Sequence, residues 1–361
     1  MPIRVAIDYR MHRSSGIGVY LRHIVRNLVT DHRDSLELTL LGGSPVEGAR
    51  FRRFSSPIFS AAEQVRFPFV VPGGTEILWS PNYNAPFLSR GKLVVTVHDV
   101  CHLAHPEFFR SSLKAAYARL SFRNVARRAA AIICDSEFTA TEIERLVGIP
   151  RHDMRVVYPG LDFGWTPGSR PARLHDAPYL LYVGNVKPHK NLGRLLAAFS
   201  TLAARIPHSL VIIGRKDGLG TLDHEAMAIA QRFGERVVVT GEVTDEVLQA
   251  YYANADLLVF PSLYEGFGFP PLEAMASGVP VAASRAASIP EVCGDGAAYF
   301  DPLSVEEMAA VIEKALSDET LRAQLRDNGR RQIVQYSWQK TSNTIAELFA
   351  ELGGVRRAQV R

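Results

Sequence analysis

PSLYEGFGFPPLE, residues 261–273, places two glutamates eight residues apart around a glycine-rich turn and a pair of prolines. On one helix, eight residues at about 100° each would leave these side chains roughly 80° apart, and the glycines and prolines interrupt any such helix. The apolar run at 256–260 predicts a buried strand, and Pro270 or Pro271 suits the first turn of a helix. We therefore expect Glu265 at the carboxyl end of a strand and Glu273 in the first turn of the helix that follows. In open α/β sheets, ligands bind at that edge.

Length and composition indicate an ordinary globular protein with two domains. The chain has 361 residues, about twice the usual domain size. Its content of 47% hydrophobic and 22% charged residues is typical of this class. No apolar run reaches the ~18 residues that a membrane span needs, and residues 1–5 lack the features of a signal peptide, so we expect a cytoplasmic protein. Three widely separated cysteines, Cys101, Cys134 and Cys293, are expected to be reduced core residues.

The charge distribution leaves two interpretations open. The net charge of +4 and the pI near 9.0 permit an anionic ligand or membrane surface and give no reason to expect a nucleic acid. Basic residues alternate with aromatic ones over 50–59 and recur over 110–128. These stretches are either solvated faces or a peripheral docking surface for anionic lipid on the inner face of the cell membrane. The residues are Arg50, Arg52, Arg53, Arg110, Lys114, Arg119, Arg123, Arg127 and Arg128, with Phe51, Phe54 and Phe59.

Short β-branched runs alternate with helical patterns along the whole chain, which predicts two doubly wound, mostly parallel α/β domains. In the first half, the predicted strands are 3–9, 36–41, 76–80, 93–98, 131–135 and 155–158. In the second half, they are 179–183, 210–213, 237–240, 257–260, 279–282 and 298–300. Residues 159–171 are rich in glycine and proline and predict a linker. We expect an N-terminal domain over 1–163, a C-terminal domain over 172–336, and a last helix within 337–361 that packs back on the first domain.

The first predicted βα turn carries Gly16 and Gly18 just before an amphipathic helix. Small residues at a helix start let backbone amides approach an anion, and the helix dipole adds about 0.3–1 kcal/mol. The pattern lacks the third glycine of a dinucleotide fingerprint, which counts against an oxidoreductase. A phosphate contact and a plain tight turn both remain open here.

The second domain opens with YVGNVKPHKNL, residues 182–192, in which a strand ends in a loop with Lys187 and Lys190. A lysine at the carboxyl end of a strand suits a diphosphate, because its charge lies where a leaving group gains negative charge. The alternative is a solvated loop lysine. That alternative applies more to Lys187 than to Lys190, which comes just before a helix start.

His98 and Asp99 end another predicted strand of the first domain. Cys101, His102 and His105 follow closely, but their spacing matches no common zinc pattern, so no metal site is expected. We expect His98 to make a polar contact at the sheet edge. Asp99 can do the same or cap a turn.

Taken in order, these motifs resemble the retaining family 4 glycosyltransferases of the GT-B fold, with residues 265–273 as their Glu-x7-Glu motif. The resemblance covers nearly the whole chain. The segments that carry it are 96–99, 157–162, 184–192, 241–248, 262–281 and 336–338. It implies two Rossmann-like domains that face each other across a cleft, of which the first binds the acceptor and the second the nucleotide sugar.

The resemblance also implies roles for individual residues. Glu265 would hold the hydroxyls of the donor sugar, Glu273 the ribose diol, and Lys190 the diphosphate, while His98 would contact the donor sugar near the reacting centre. The family's phosphate-loop arginine is replaced by Asn185, and Lys187 is the expected substitute. The other implied donor-binding residues are Gly16, Gly18, Val243, Leu248, Gly266, Phe267 and Gly268.

The function implied is that of a retaining hexosyltransferase without a cofactor other than its nucleotide-sugar co-substrate. No Asp-x-Asp motif lies at a suitable strand end, so lysine charge and not a metal is expected to stabilise the departing nucleoside diphosphate. The sequence looks most like mannosyltransferases that build O-antigen and exopolysaccharide, which makes GDP-mannose the first expectation and a UDP-hexose the alternative. The expected acceptor is a saccharide or a polyprenyl-linked saccharide. A sugar-nucleotide epimerase, a phosphorylase and a non-enzymatic carbohydrate-binding protein are rival interpretations.

Overall fold

The computed structural model describes residues 1–14, 16–108, 112–161, 171–214 and 228–354, with the backbone alone for 112–115. Arg110, the side chain of Lys114 and most of the predicted linker lie outside the described residues. The chain forms two compact units. The first comprises Met1–Gly160 and the segment that begins at Tyr336, and the second comprises Leu161–Gln335. No helix of the described ranges is long and apolar enough to cross a membrane.

A seven-stranded parallel sheet forms the centre of the first unit. Its strands are β1 Ile3–Asp8, β2 Leu36–Leu41, β3 Arg50–Arg52, β4 Ile77–Ser80, β5 Lys92–Val97, β6 Ala129–Cys134 and β7 Met154–Val156. Its first five helices are α1 Gly16–Asp31, α2 Ala61–Val70, α3 Cys101–Ala104, α4 Ser112–Arg128 and α5 Glu137–Val147. The strand order is β3-β2-β1-β4-β5-β6-β7. The strands β2 and β3 are added on one side of β1 and the later strands on the other, so the strand order reverses between β1 and β4.

A six-stranded parallel sheet forms the centre of the second unit. Its strands are β8 Tyr179–Val183, β9 Ser209–Ile213, β10 Val237–Gly241, β11 Leu257–Phe260, β12 Val281–Ser284 and β13 Ala297–Phe300. Its described helices are α6 Leu192–Leu202, α7 Asp245–Asn254, α8 Phe269–Ala276, α9 Ile289–Cys293, α10 Val305–Ser317 and α11 Glu319–Ile333. The order β10-β9-β8-β11-β12-β13 reverses between β8 and β11. The predicted fold class, two doubly wound parallel α/β domains, is confirmed.

Helices cover both faces of these sheets, which is why the strands are nearly continuous apolar runs. In the second unit, α6 and α10 supply fully buried side chains such as Leu195, Phe199 and Ile312. In the first unit, Trp79 is fully buried and its indole N–H donates to Thr96 Oγ1 at 3.0 Å. Each unit therefore has a hydrophobic core of its own.

The last helix, α12 Trp338–Gly353, belongs to the first unit and packs on α1. Ser337 caps its first turn, and Thr341 Oγ1 donates to the Tyr158 carbonyl at 2.7 Å. Phe349 is fully buried, with its ring centroid 5.8 Å from that of Trp79. The chain thus returns to the first sheet after completing the second.

Two elements near the N-terminus were not predicted, namely the edge strand β3 and the helix α2. β3 is a short edge strand of three residues, all exposed. Just after it, Phe54 does not fit either interpretation of the basic and aromatic stretch, because both place that stretch at the surface. Phe54 is only 6% exposed, and the guanidinium of Arg10 lies 4.3 Å above its ring.

Candidate active site

Lys190 and Glu265 form an ion pair at the carboxyl edge of the second sheet. Lys190 follows β8 and Glu265 follows β11, the two adjacent strands between which the strand order reverses. Lys190 Nζ donates to Glu265 Oε1 at 2.6 Å, and the two side chains are 19% and 13% exposed. A reversal point of this kind is where open α/β sheets bind ligands. The fold thus brings together two of the residues that the sequence singled out.

Asn191 fixes the loop that carries Lys190. Its backbone is left-handed, with φ of 59°, and its buried amide Nδ2 donates to the carbonyls of Pro261, at 3.0 Å, and Pro302, at 2.8 Å. The Leu263 N–H also donates to the His189 carbonyl at 2.7 Å. The two loops of the pair are therefore joined by backbone as well as side-chain bonds. The sequence indicated only a helix start at Asn191.

Ser288 fixes the turn that carries Glu265. Its fully buried hydroxyl lies 2.9 Å from the Glu265 carbonyl and 3.1 Å from the Phe267 carbonyl, and its one proton is shared between these two acceptors. Gly268 follows with φ of 102°, a conformation that a side chain would disfavour. Gly266 and Phe267 are buried within this turn. Ser288 lies in a different part of the chain, and nothing local marked it in the sequence.

The helix α8 begins at Phe269, one residue earlier than the expected proline. Glu273 is consequently its fifth residue, in the second turn and not the first, which corrects the prediction. Pro270 and Pro271 occupy the second and third positions and have no N–H. Amides for an anionic ligand at this end come mainly from the glycine turn before the helix.

Glu273 is paired with Tyr252 on the neighbouring helix α7. The Tyr252 hydroxyl donates to Glu273 Oε2 at 2.7 Å. Burial raises the pKa of Glu273 from its ordinary 4.5 to about 7, the bond from Tyr252 opposes this rise, and the carboxylate of Asp245 adds to it. Val243 and Leu248, in the predicted base-binding segment, are partly buried just before and within α7. Tyr252 was missed, although it lies one helical turn after Leu248.

Lys187 lies on the same loop as Lys190 and is exposed. Its carbonyl accepts the Lys190 N–H at 2.9 Å, which closes the short turn Pro188–Lys190. Asn185, where the family pattern has arginine, is partly buried. The exposed Lys187 side chain is thus accessible to an anion.

In the first unit, His98 makes the expected polar contacts at the edge of the sheet. Its Nδ1 is 2.6 Å from Asp135 Oδ2, and its Nε2 is 3.0 Å from the Pro81 carbonyl. Burial lowers the pKa of His98, but the Asp135 carboxylate, the Pro81 carbonyl and Asp99 raise it, with a net increase. Both partners carry acceptor oxygens, so these contacts favour the protonated ring, in line with the raised pKa. Asp135, which follows β6, was not predicted as the partner.

The residues after His98 have local structural roles. Asp99 Oδ1 accepts the Cys101 N–H at 2.9 Å, so it closes a turn at the start of the short helix α3. His105 pairs with Glu107 at 2.9 Å, and Cys101 is buried. Within the described ranges, no three side chains of the metal-ligating types come together in a way that could hold an ion.

Gly16 and Gly18 begin α1. A Cβ on Gly18 would lie 2.7 Å from the carbonyl oxygen of His12, so the tight turn over residues 11–12 by itself requires glycine there. Gly16 is exposed at the helix start. The close packing at Gly18 is explained without a ligand, whereas Gly16 is accessible to one.

Comparison with known proteins relates this site to one family. The family model described as glycosyl transferases group 1 matches residues 169–332, and the model described as glycosyltransferase family 4 matches residues 14–165. The O-antigen chain mannosyltransferase B of Escherichia coli is 33% identical over 284 residues, which are 74% of this chain and 73% of that protein.

Solved structures show the same fold at low identity. Sucrose-phosphate synthase from Thermosynechococcus elongatus aligns with a TM-score of 0.80 at 18% identity, over 99% of this chain and 100% of that one. Anabaena HepE, in complex with UDP and glucose, aligns with a TM-score of 0.77 at 19% identity, over 97% and 100%. Together with the matched family models, these similarities show that the chain is a glycosyltransferase of family 4 with the GT-B fold.

Proposed function

We propose that this glycosyltransferase moves mannose from GDP-mannose to a saccharide or polyprenyl-linked saccharide during synthesis of a cell-surface polysaccharide. The observation that carries the proposal is the pair of Lys190 and Glu265 at the reversal point of the second sheet. The choice of mannose is supported by the relative from Escherichia coli, an O-antigen chain mannosyltransferase. The epimerase and the non-enzymatic interpretations are not favoured, because the family is one of glycosyltransferases.

The pair has the charges that a sugar nucleotide needs. A carboxylate such as Glu265 accepts hydrogen bonds from sugar hydroxyls, and an ammonium such as Lys190 attracts a diphosphate. Because the two groups are 2.6 Å apart, sugar and phosphate would be held side by side. Glu273, on the helix α8, would accept hydrogen bonds from the hydroxyls of the ribose diol. Lys187 and the amides of Gly266, Phe267 and Gly268 would complete the donor site.

In the proposed reaction, the bond between the anomeric carbon and the diphosphate oxygen breaks as the acceptor oxygen bonds the same carbon on the same face. The acceptor's proton passes to the leaving phosphate oxygen, so the configuration is retained. Lys190 stabilises the negative charge that develops on that oxygen. Removing such a group typically reduces kcat by about 10²–10³. No metal or cofactor takes part in this proposal, and the contributions of His98, Gly16 and Gly18 follow from the family pattern alone.

We also propose that the first unit docks on anionic lipid at the inner face of the cell membrane. The outer face of α4 carries Arg119, Arg123 and Arg127 at successive turns, and we call these three the basic face. Leu120 beside them is 50% exposed, and Phe69 on α2 is 81% exposed. Basic side chains with apolar neighbours suit the headgroup region of an anionic bilayer.

The donor can be tested by thermal unfolding and turnover with GDP-mannose, UDP-glucose, UDP-galactose and ADP-glucose. A ligand at 100 times its Kd adds about 2.7 kcal/mol of stability, so the preferred donor is expected to raise Tm most. We expect GDP-mannose to do so and to release GDP when an acceptor is added. Preference for UDP-glucose would favour the alternative that the donor is a UDP-hexose. Release of nucleotide from none of the four donors would refute it.

A further inference from the structure

Three aromatic rings form a cluster in the first unit, and none of them belongs to the donor site. The ring centroid of Phe59 is 6.1 Å from that of Tyr83 and 6.0 Å from that of Tyr117. Tyr83 in turn stacks on the buried ring of Phe122 at 4.8 Å. Phe59 is 48% exposed, while Tyr83 and Tyr117 are partly buried. The cluster is therefore anchored on its inner side and open to solvent on its outer side.

The backbone of Phe59 is strained. Its φ of 64° lies in the left-handed region, which is unfavourable for a bulky residue. An aromatic side chain is also costly to leave in water. Both features cost folding free energy.

A buried polar network holds Phe59 in this conformation. The Phe59 N–H donates to Glu63 Oε2 at 2.8 Å, and the fully buried carboxylate of Glu63 pairs with Arg10. The amide of Asn84 donates to both oxygens of Glu63 at 3.0 Å. The Tyr117 hydroxyl donates to the amide oxygen Oδ1 of the same Asn84 side chain. One network therefore fixes both Phe59 and Tyr117.

The cluster lies at the edge of the sheet where ligands bind. Tyr83 follows the carboxyl end of β4, and its ring centroid is 6.1 Å from that of His102, which follows β5. Polar groups border one of the three rings. Gln64 Nε2 lies 3.4 Å from the Tyr117 hydroxyl, and both side chains are partly buried. Exposed ring faces bordered by hydrogen-bonding groups are suited to a ligand that is apolar on one face and polar at its rim.

We propose that Phe59, Tyr83 and Tyr117 form an aromatic subsite that stacks on the apolar face of a pyranose ring of the saccharide acceptor. The C–H bonds on one face of a pyranose carry partial positive charge and meet the negative face of an aromatic ring. The hydroxyls at the rim of the sugar would reach Gln64 and the Tyr117 hydroxyl. The inference rests on the proposed function in that the acceptor is a saccharide. A lipid chain is disfavoured as the occupant, because the buried groups next to the rings are polar.

The test is saturation-transfer NMR with four methyl glycosides, which needs no donor. They are methyl α-mannoside, methyl α-glucoside, methyl β-galactoside and methyl β-N-acetylglucosaminide. At least one is expected to bind the wild-type protein, with the strongest saturation on the protons of one face. In Phe59→Gly, its Kd is expected to rise about 3- to 10-fold, the value of one aromatic stack.

Phe59→Gly also separates binding from folding. Glycine tolerates a φ of 64°, and this relief offsets the lost ring contacts and the greater entropy of the unfolded chain, so the variant is expected to melt near the wild-type temperature while it loses the ring. Phe59→Tyr keeps the ring and is expected to keep the wild-type Kd. Leu88→Ala removes another exposed apolar side chain, 68% exposed, from the same unit and is the matched control.

Two results would overturn the subsite. One is that none of the four glycosides receives saturation from the wild-type protein. The other is that Phe59→Gly binds the glycosides as the wild type does. Loss of binding to anionic vesicles alone, with glycoside binding unchanged, would also overturn the subsite. Absence of turnover with GDP-mannose would count against the proposed donor alone, because the NMR experiment is independent of it.

Discussion

Nucleotide binding is predicted to depend on pH through Glu273. Burial raises the pKa of this carboxyl to about 7 in the free protein. An ionised carboxylate accepts hydrogen bonds from both hydroxyls of a ribose diol. The protonated carboxyl can accept fewer hydrogen bonds, because one of its oxygens carries a proton. Below pH 7, binding must therefore remove a proton from Glu273. The affinity is expected to fall about tenfold for each pH unit below this value and to level off above it.

The same shift has a cost in stability. Because the pKa of Glu273 rises on folding from 4.5 to about 7, keeping it ionised in the folded protein costs about 3 kcal/mol. The sign follows from linkage. The protonated form stabilises the fold below the unfolded pKa, and this contribution is lost as the pH rises through about 7. Glu273→Gln is thus expected to raise Tm at pH 8 and to have little effect near pH 4.

Tyr252→Phe tests the geometry behind this prediction. It removes the 2.7 Å bond that favours the charged carboxylate. Hydrogen bonds to charged groups contribute about 1.5–3 kcal/mol, so the pKa of Glu273 should rise by about 1–2 further pH units. At pH 7, the affinity for nucleotide should then fall about 5- to 50-fold.

The assay is calorimetry with GDP and with UDP, which share the ribose diol, at pH 5.5 to 9. Glu273→Gln is the reference, because it retains any titration of the nucleotide phosphate and lacks that of the carboxyl. The reasoning is refuted if wild type and Glu273→Gln show the same pH profile. It is also refuted if Tyr252→Phe leaves the midpoint unchanged.

Three other predictions concern the described contacts. Asp135→Asn removes the carboxylate that opposes the effect of burial, so the pKa of His98 is expected to fall below the wild-type value in an NMR titration, and an unchanged value would contradict the pairing. Asn191→Ala leaves two buried carbonyls without their donor and places alanine in a left-handed conformation, which should cost about 2–4 kcal/mol in denaturant unfolding. A loss below 0.5 kcal/mol, roughly the effect of a surface substitution, would show that this side chain does not fix the loop. Reversal of the basic face to glutamate should abolish salt-sensitive sedimentation with phosphatidylglycerol vesicles, since each basic residue contributes about 1 kcal/mol. Equal sedimentation of the triple variant and the wild type would refute the docking surface.

The parts of the site that follow strand ends could be predicted from the sequence. Apolar runs locate strands, and in a parallel sheet their carboxyl ends meet at one edge, so Lys190 and Glu265 were expected at that edge before any geometry was known. The glycines of the turn after Glu265 were equally visible.

The partners of these residues could not be predicted. Tyr252, Asp135 and Ser288 contact the site from elements far away in the chain, and such contacts depend on helix packing and strand register. The stretch around Phe54 shows the opposite error. Its alternation of basic and aromatic residues is compatible with a surface, yet Arg10 covers that ring from another element.

The most direct test of the account is the turnover of Glu265→Gln and Lys190→Ala with the preferred donor and acceptor. Each is predicted to lose about 10²–10³ in kcat while it remains folded. Because the two side chains are in contact, the double variant should lose less than the product of the two single effects. Glu313→Gln is the control, since it breaks an exposed pair with Arg205, 2.8 Å apart, in the same unit and should keep the wild-type kcat. A kcat near the wild-type value in either Glu265→Gln or Lys190→Ala would contradict the assignment of this pair as the reacting centre.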